Sequence, residues 1–343
     1  MRLSSQTEQV VGIKFMMELA VGPFTLRNYW RRHLDNTRKL RSALIDGSSV
    51  PEHLLGELTE TDFARASHEQ LQVYLQRDGY IFCRGLINEE DVNNARIEVF
   101  NRLGEVDELE TPYSKGIFSG RSRRDSLYSD RGEFWESVST GKALRKITNG
   151  PVLRDTTSEI FGSPAVGFDY LFLRAVPSGR WSHLHCDAGF FTRATKQVLT
   201  CWIAFTEIPL DKGPLFVVEG SHRFKDIKDE FNDFDVDRDK EKKAAIEGHP
   251  VVFAEQRQAR LLTTAFRPGD VLIFGMHTVH GALENHASDK RIRLTCDIRY
   301  QPKSEPRDSR YFGEDQAVQQ GLVMASLMVR DHSPKIGTYV NAI

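Results

Sequence analysis

Eleven histidines lie at positions 33, 53, 68, 183, 185, 222, 249, 277, 280, 286 and 332, and one of them stands two residues from a carboxylate, in His185-Cys186-Asp187. Residues two apart on an extended strand project from the same face, so one metal ion can touch both side chains. A third ligand must come from elsewhere. His280 is the best placed, in Met276-His277-Thr278-Val279-His280-Gly281 just after the apolar run 271–274. Two histidines and one carboxylate form a facial triad, which holds one face of an octahedral ion and leaves the other positions open, the arrangement of non-haem Fe(II) oxygenases. A His-x-Asp by itself is weak, because a chain with this many His and Asp produces one by chance.

An open-site iron draws electrons from a co-substrate. If that co-substrate is 2-oxoglutarate, its far carboxylate calls for a buried cation with a matching planar fork, which is what arginine offers. After His280 a short polar loop leads into Arg291-Ile292-Arg293-Leu294-Thr295, and for either arginine the plain alternative is an exposed strand face. Alternation puts Arg291, Arg293, Thr295, Asp297 and Arg299 on one face of that strand and Ile292, Leu294, Cys296, Ile298 and Tyr300 on the other. With Arg293 inward the polar row lines a pocket. Asp297 and Arg299 are then candidate substrate contacts, with a mutual surface ion pair as the alternative. Thr200 and Trp202 share a face of the run 198–205 and are placed to flank the co-substrate, although Trp202 reads more readily as core. His183 stands four residues from Asp187, and His277 is three from His280, on the opposite face of a strand. Cys186 points away from the two ligands and reads as packed. Arg121, Arg123 and Arg124 form a small basic loop, solvated by default, with a site for an anionic substrate as the alternative.

The elements that must position these groups change in character near residue 165. The first half reads helical, over 6–20, 26–45, 62–77 and 89–103. The last has Val92, Ala95, Val99 and Leu103 on one face and Asn88 as N-cap. A short strand is expected at 80–83, after the Asp78-Gly79 turn signal. From 166 onward come short strand-like runs at 170–176, 198–205, 215–219, 251–254, 271–274 and 292–300, punctuated by Gly and Pro, which suggests a sandwich, barrel or jelly roll. The charged segment 225–260 interrupts them, as a solvated surface excursion or a lid.

Composition narrows the class. In 343 residues, 40% apolar and 27% charged, 46 basic side chains face 48 acidic ones for a net charge of −2, which describes a soluble globular protein with no broad electrostatic footprint for nucleic acid or anionic membrane. Cys83, Cys186, Cys201 and Cys296 are scattered without a C-x-x-C pair, against both a disulfide framework and a structural zinc site. The apolar stretch 10–21 is broken by Lys14 and Glu18, unlike a secretory or membrane-spanning segment. A cytoplasmic location is expected.

Together, His185-Cys186-Asp187, TCWIAFTEIPLDKGPLFVVEGSHRF, RPGDVLIFGMHTVHGALEN and RIRLTCDIRYQP resemble the phytanoyl-CoA dioxygenase family of Fe(II)- and 2-oxoglutarate-dependent oxygenases, in family order over about 77–302. The resemblance implies an α+β protein with a double-stranded β-helix (jelly roll) core and N-terminal helices packed around it. It divides the chain into a helical extension at 1–75, the oxygenase domain at 76–302 and a tail at 303–343. It places His185, Asp187 and His280 as iron ligands and treats the turn holding His222 as structural. In many members the co-substrate arginine lies eleven residues after the second histidine, here Arg291. Aligning the later strand instead selects Arg293, with one extra residue in the loop 282–290. Packing fixes strand register whereas loops absorb insertions, so Arg293 is preferred. The implied activity is hydroxylation, or another oxidation, of a C–H bond in a small molecule, consuming 2-oxoglutarate and O2 and releasing succinate and CO2. Asp187 favours this over halogenation, since related halogenases lack a carboxylate there. The alternatives are a jelly-roll protein that binds a small molecule or partner without turnover, and a zinc hydrolase using the same triad. Neither the substrate nor the oligomeric state is legible.

Overall fold

The computed structural model describes residues 43–128 and 131–313. The helix expected at 6–20, and that at 26–45 up to residue 42, lie outside them. Residues 44–49 are not the end of a helix: β1 (Leu44–Ile45) and β2 (Ser48–Ser49) form a small antiparallel ribbon.

Local chemistry sets the first helices. Ser67 accepts from the Gln70 amide and Gln70 returns a bond to the Ser67 amide, a reciprocal cap that starts α1 (His68–Asp78) later than the expected residue 62. Gly79, at φ +82°, ends it in the left-handed conformation and turns the chain into β4 (Tyr80–Cys83). Asn88 caps α2 (Glu89–Glu105), whose Val92, Ala95, Val99 and Leu103 are buried as the spacing requires. Between α2 and the long β5 (Ala165–Val176) the chain stays helical, through α3 (Arg124–Leu127), α4 (Arg131–Ser139), α5 (Lys142–Thr148) and α6 (Pro151–Phe161). Arg124 is not solvated: it is buried, bonded to Glu108, and its guanidinium lies against Phe134 and Trp135.

The remaining strands are β3 (Leu55–Glu57), β6 (Arg180–His185), β7 (Leu199–Ala204), β8 (Leu215–Val218), β9 (Leu261–Thr263), β10 (Val271–Gly275), β11 (His280–Asn285) and β12 (Arg293–Pro302). They make two five-stranded sheets, ordered β4-β10-β7-β12-β5 and β3-β9-β8-β11-β6. Pairing is antiparallel except between β3 and β9. Strands β5 to β12 pass between the two sheets in the winding of a double-stranded β-helix, and with the helices the fold class is α+β. Phe82, Trp202, Val217, Leu262, Phe266 and Phe274 fill the space between the sheets. Burial of this apolar surface, at about 25 cal/mol per Å2, holds the sheets face to face. Ahead of residue 75, β3 pairs with β9 and so adds an edge strand to the second sheet. Beyond residue 302, Tyr311 is fully buried, stacks on Phe168 and donates to the Phe190 carbonyl at 2.9 Å.

The segment 225–260 is more than a solvated excursion. It contains α8 (Lys225–Phe231) and α9 (Pro250–Arg257), so the strand expected at 251–254 is helical. Pro250 at the first helical position and the His249 ring, accepting from the Val251 amide, start that helix. Ile227, Phe231, Phe234 and Val236 of the segment are buried. The Ile246 amide bonds the Leu184 carbonyl, one residue before His185. An ionic clasp fastens the segment: Arg310 bonds Asp308, Asp235 and Asp237, and Arg193 bonds Asp235. Removing one partner of a buried pair costs roughly 3–5 kcal/mol. In Arg310→Ala, amide exchange over 233–248 is therefore expected to rise roughly 100-fold while that of β12 is unchanged. Unchanged exchange over 233–248 refutes the clasp.

Candidate active site

The site forms where β6 ends and β11 begins. His280 pairs with His185 across these antiparallel strands, which places the two rings 4.1 Å apart between centroids. Asp187 joins them in a way the spacing argument did not foresee. The strand stops at His185, and Asp187, in a helical backbone conformation, precedes the short α7 (Ala188–Phe191). A turn, not a shared strand face, swings its carboxylate to the histidines. One ligand atom from each of the three residues lies within 4.8 Å of the others, and all three residues are buried.

The electrostatics suit metal ligation. His185 Nδ1 lies 3.1 Å from the His183 carbonyl and His280 Nδ1 2.9 Å from that of Thr278. A carbonyl only accepts, so both Nδ1 atoms carry the proton and both Nε2 lone pairs are left for a ligand. Burial lowers the pKa of both rings, and each is neutral at physiological pH. Burial alone would raise the pKa of Asp187. The Arg299 guanidinium, with the Thr200 hydroxyl, outweighs it and holds the carboxyl well below the ordinary range, as the anion.

The other expected residues separate sharply. Arg293 is 4% exposed, and burial pushes its pKa down to about 9, so the guanidinium remains protonated near neutral pH. It bonds the carbonyl of Gly213, while its Nε and the neighbouring Thr295 hydroxyl are buried without a partner among the described residues. Gly213 has φ +67°, and a Cβ there would lie 2.2 Å from the Leu283 carbonyl oxygen, so glycine is needed to present that acceptor. Arg291 precedes β12 with its side chain 56% exposed, beside Asp289. Thr200 donates to Asp187 Oδ2 at 2.5 Å. Trp202, on the same face, is core: its ring meets Phe266 edge-on at 4.6 Å. Asp297 and Arg299 are neither a surface pair nor bonded to each other. Both are buried, Asp297 paired with Arg174 at 2.7 Å and Arg299 with Asp187 at 2.9 Å.

Arg174 is the site residue that sequence reasoning missed. Its one visible signal was a charge inside the otherwise apolar run 170–176. His183 contributes its carbonyl rather than its ring, which lies against Trp181. His222 bonds the Gln76 carbonyl beneath Gly79, in keeping with a structural role. Cys186 is buried, and burial pushes its thiol up to about 12.

The donor set fits Fe(II) and 2-oxoglutarate. Two neutral imidazoles and an ionised carboxylate converge from one side, and the orphaned Arg293 Nε and Thr295 Oγ1 are the donors a buried carboxylate would satisfy. The family model described as phytanoyl-CoA dioxygenase matches residues 75–293. This defines the class: an Fe(II)- and 2-oxoglutarate-dependent dioxygenase built on a double-stranded β-helix. The chain belongs to the phytanoyl-CoA dioxygenase family. Its relatives include the 1-deoxypentalenic acid 11-beta-hydroxylase of Streptomyces exfoliatus, 28% identical over 70% of this chain and 83% of the relative. The enzyme of the same name from Streptomyces arenae is 25% identical over the same shares. Among solved structures, the apoform of EctD from S. alaskensis aligns with a TM-score of 0.49 and 17% identity over 76% of this chain and 84% of its own. The alpha-ketoglutarate-dependent epimerase SnoN from nogalamycin biosynthesis aligns at 0.47 and 19%, over 73% and 88%.

Proposed function

We propose that His185, Asp187 and His280 hold Fe(II), that Arg293 grips the distal carboxylate of 2-oxoglutarate, and that the site oxidises a C–H bond of a small molecule, by hydroxylation in the first instance. The observation that carries this reading is the convergence of three buried donors in the protonation states a metal requires. When bound, Fe(II) with 2-oxoglutarate and O2 supplies the oxidant that takes hydrogen from carbon and returns hydroxyl, leaving succinate and CO2. The protein's own contribution is geometric. The His183 and Thr278 carbonyls fix the two imidazole tautomers, Arg299 and Thr200 keep Asp187 ionised, and Arg293 sets one end of the co-substrate. Tyr170, Phe172 and Phe191 form an aromatic wall beside Arg299, and the clasped segment 225–260 lies along the end of β6 through the Ile246–Leu184 bond and the Ala245–His185 bridge.

The relatives named above hydroxylate an organic acid, which supports a small organic substrate here. Among the described residues no helix is long and apolar enough to cross a membrane. Four unpaired, buried cysteines support the proposal of a cytoplasmic location. Anaerobic addition of Fe(II) and then 2-oxoglutarate is expected to produce a weak visible metal-to-ligand charge-transfer band. Without that band, the non-catalytic binding reading or the zinc hydrolase reading would stand in its place.

A further inference from the structure

We infer that Arg299 is a positioning residue of the metal centre: together with Thr200 it occupies Oδ2 of Asp187, and so reserves Oδ1 for the metal and holds the carboxylate to ligation through a single oxygen. This rests on the ligand assignment proposed above. Arg299 in β12 pairs with Thr200 in β7, and both side chains reach Asp187 Oδ2, at 2.9 Å from the guanidinium Nη2 and 2.5 Å from the hydroxyl. Among the described residues Oδ1 receives no hydrogen bond.

Among the described residues the guanidinium makes no other hydrogen bond. It is 3% exposed, lies against the faces of Phe191 and Phe172 at 4.1 and 4.9 Å, and among the described residues leaves Nε and Nη1 buried without a partner. Burying an arginine and spending a single donor is costly, because each unpaired N–H keeps its full desolvation penalty. Among the described residues, the one hydrogen bond it makes is to the carboxylate that faces the two histidines.

The consequence concerns coordination number. An octahedral ion with three protein ligands has three positions left, of which a keto acid end takes two and O2 needs the third. A carboxylate with both oxygens free can chelate, as carboxylates do on other ions, and would compete for one of those positions. Two donors on Oδ2 remove that option. Arg299 thereby protects the co-substrate's place rather than adding to metal affinity.

The test uses the full chain loaded with Co(II), with Co(II) affinity, 2-oxoglutarate affinity and the Co(II) visible absorption, whose intensity reports coordination number, read separately. Arg299→Met is expected to bind Co(II) at least as tightly as the unmodified chain, to bind 2-oxoglutarate about tenfold more weakly, and to change the absorption before co-substrate is added. Thr200→Val, which removes the other donor, is expected to shift the same quantities in the same direction by about threefold, and Arg299→Lys to recover most of the loss. A parallel fall in Co(II) and 2-oxoglutarate affinity in folded Arg299→Met overturns the inference, as does no change in either. Should Arg299→Met fail to fold, Thr200→Val decides by the same two affinities. An unmodified chain that fails to bind Co(II) stoichiometrically instead refutes the ligand assignment, a different result from any of these.

Discussion

Replacing His280 with alanine is expected to abolish substrate-dependent succinate release and to weaken metal binding by more than about 100-fold, while the far-ultraviolet circular dichroism is retained. Loss of groups that merely orient a ligand already costs roughly 10–100-fold in metal affinity or activity, so loss of a ligand itself sets a larger floor. The ring stands at the start of β11 with its Nδ1 committed to the Thr278 carbonyl, and alanine leaves a small cavity beside Phe274 without breaking the strand pairing. His185→Ala and Asp187→Ala should match it. His183→Ala should keep its metal, because what His183 gives the site is a backbone carbonyl that alanine also has. Turnover retained in His280→Ala would sink the triad and turn attention to His277 and His286.

The second large effect separates two neighbouring arginines. With Arg293 in its proposed role, Arg293→Ala would leave the distal carboxylate of 2-oxoglutarate unpaired in a buried place, and truncating one partner of such a pair costs about 2–5 kcal/mol. That is at least a roughly 30-fold rise in the co-substrate concentration needed for half-maximal succinate formation, at about tenfold per 1.4 kcal/mol. Arg291→Ala, from a side chain 56% exposed, should change it by only a few-fold. Metal binding should survive in both variants. A large effect at Arg291 with a small one at Arg293 would show that the co-substrate is held from the rim.

Much of the frame was legible because it rests on local patterns. Alternation put Arg293, Thr295, Asp297 and Arg299 on one face of β12 and Ile298 and Tyr300 on the other, and the Asn88 cap with its one-face apolar spacing marked α2. What failed depends on contacts distant in the chain. The run 251–254 is four apolar residues, too short for periodicity to tell strand from helix, and the cap from His249 and Pro250 decides it. Strand β3 was not foreseen because it is three residues long and is defined by pairing with β9, some two hundred residues later. At the site, the residue types were readable and the pairings were not. Asp297 and Arg299 look like natural partners two apart, yet each finds its counter-ion on another element, Arg174 and Asp187.

One strand, β12, carries both the arginine proposed to grip the co-substrate and the arginine that engages Asp187, six residues and roughly 20 Å of extended backbone apart. Their separation is therefore a property of the polypeptide itself and does not depend on how two loops happen to sit. An insertion of one residue between them would turn one of the pair out of the barrel, because side chains alternate, so the segment between Arg293 and Arg299 behaves as a gauge that cannot be lengthened by single steps. The loop 282–290 just before it has no such restriction. Its length sets when the chain reaches the gauge, not the gauge's span, so variation among relatives should collect there and count from the second histidine should be a poor guide to the arginine.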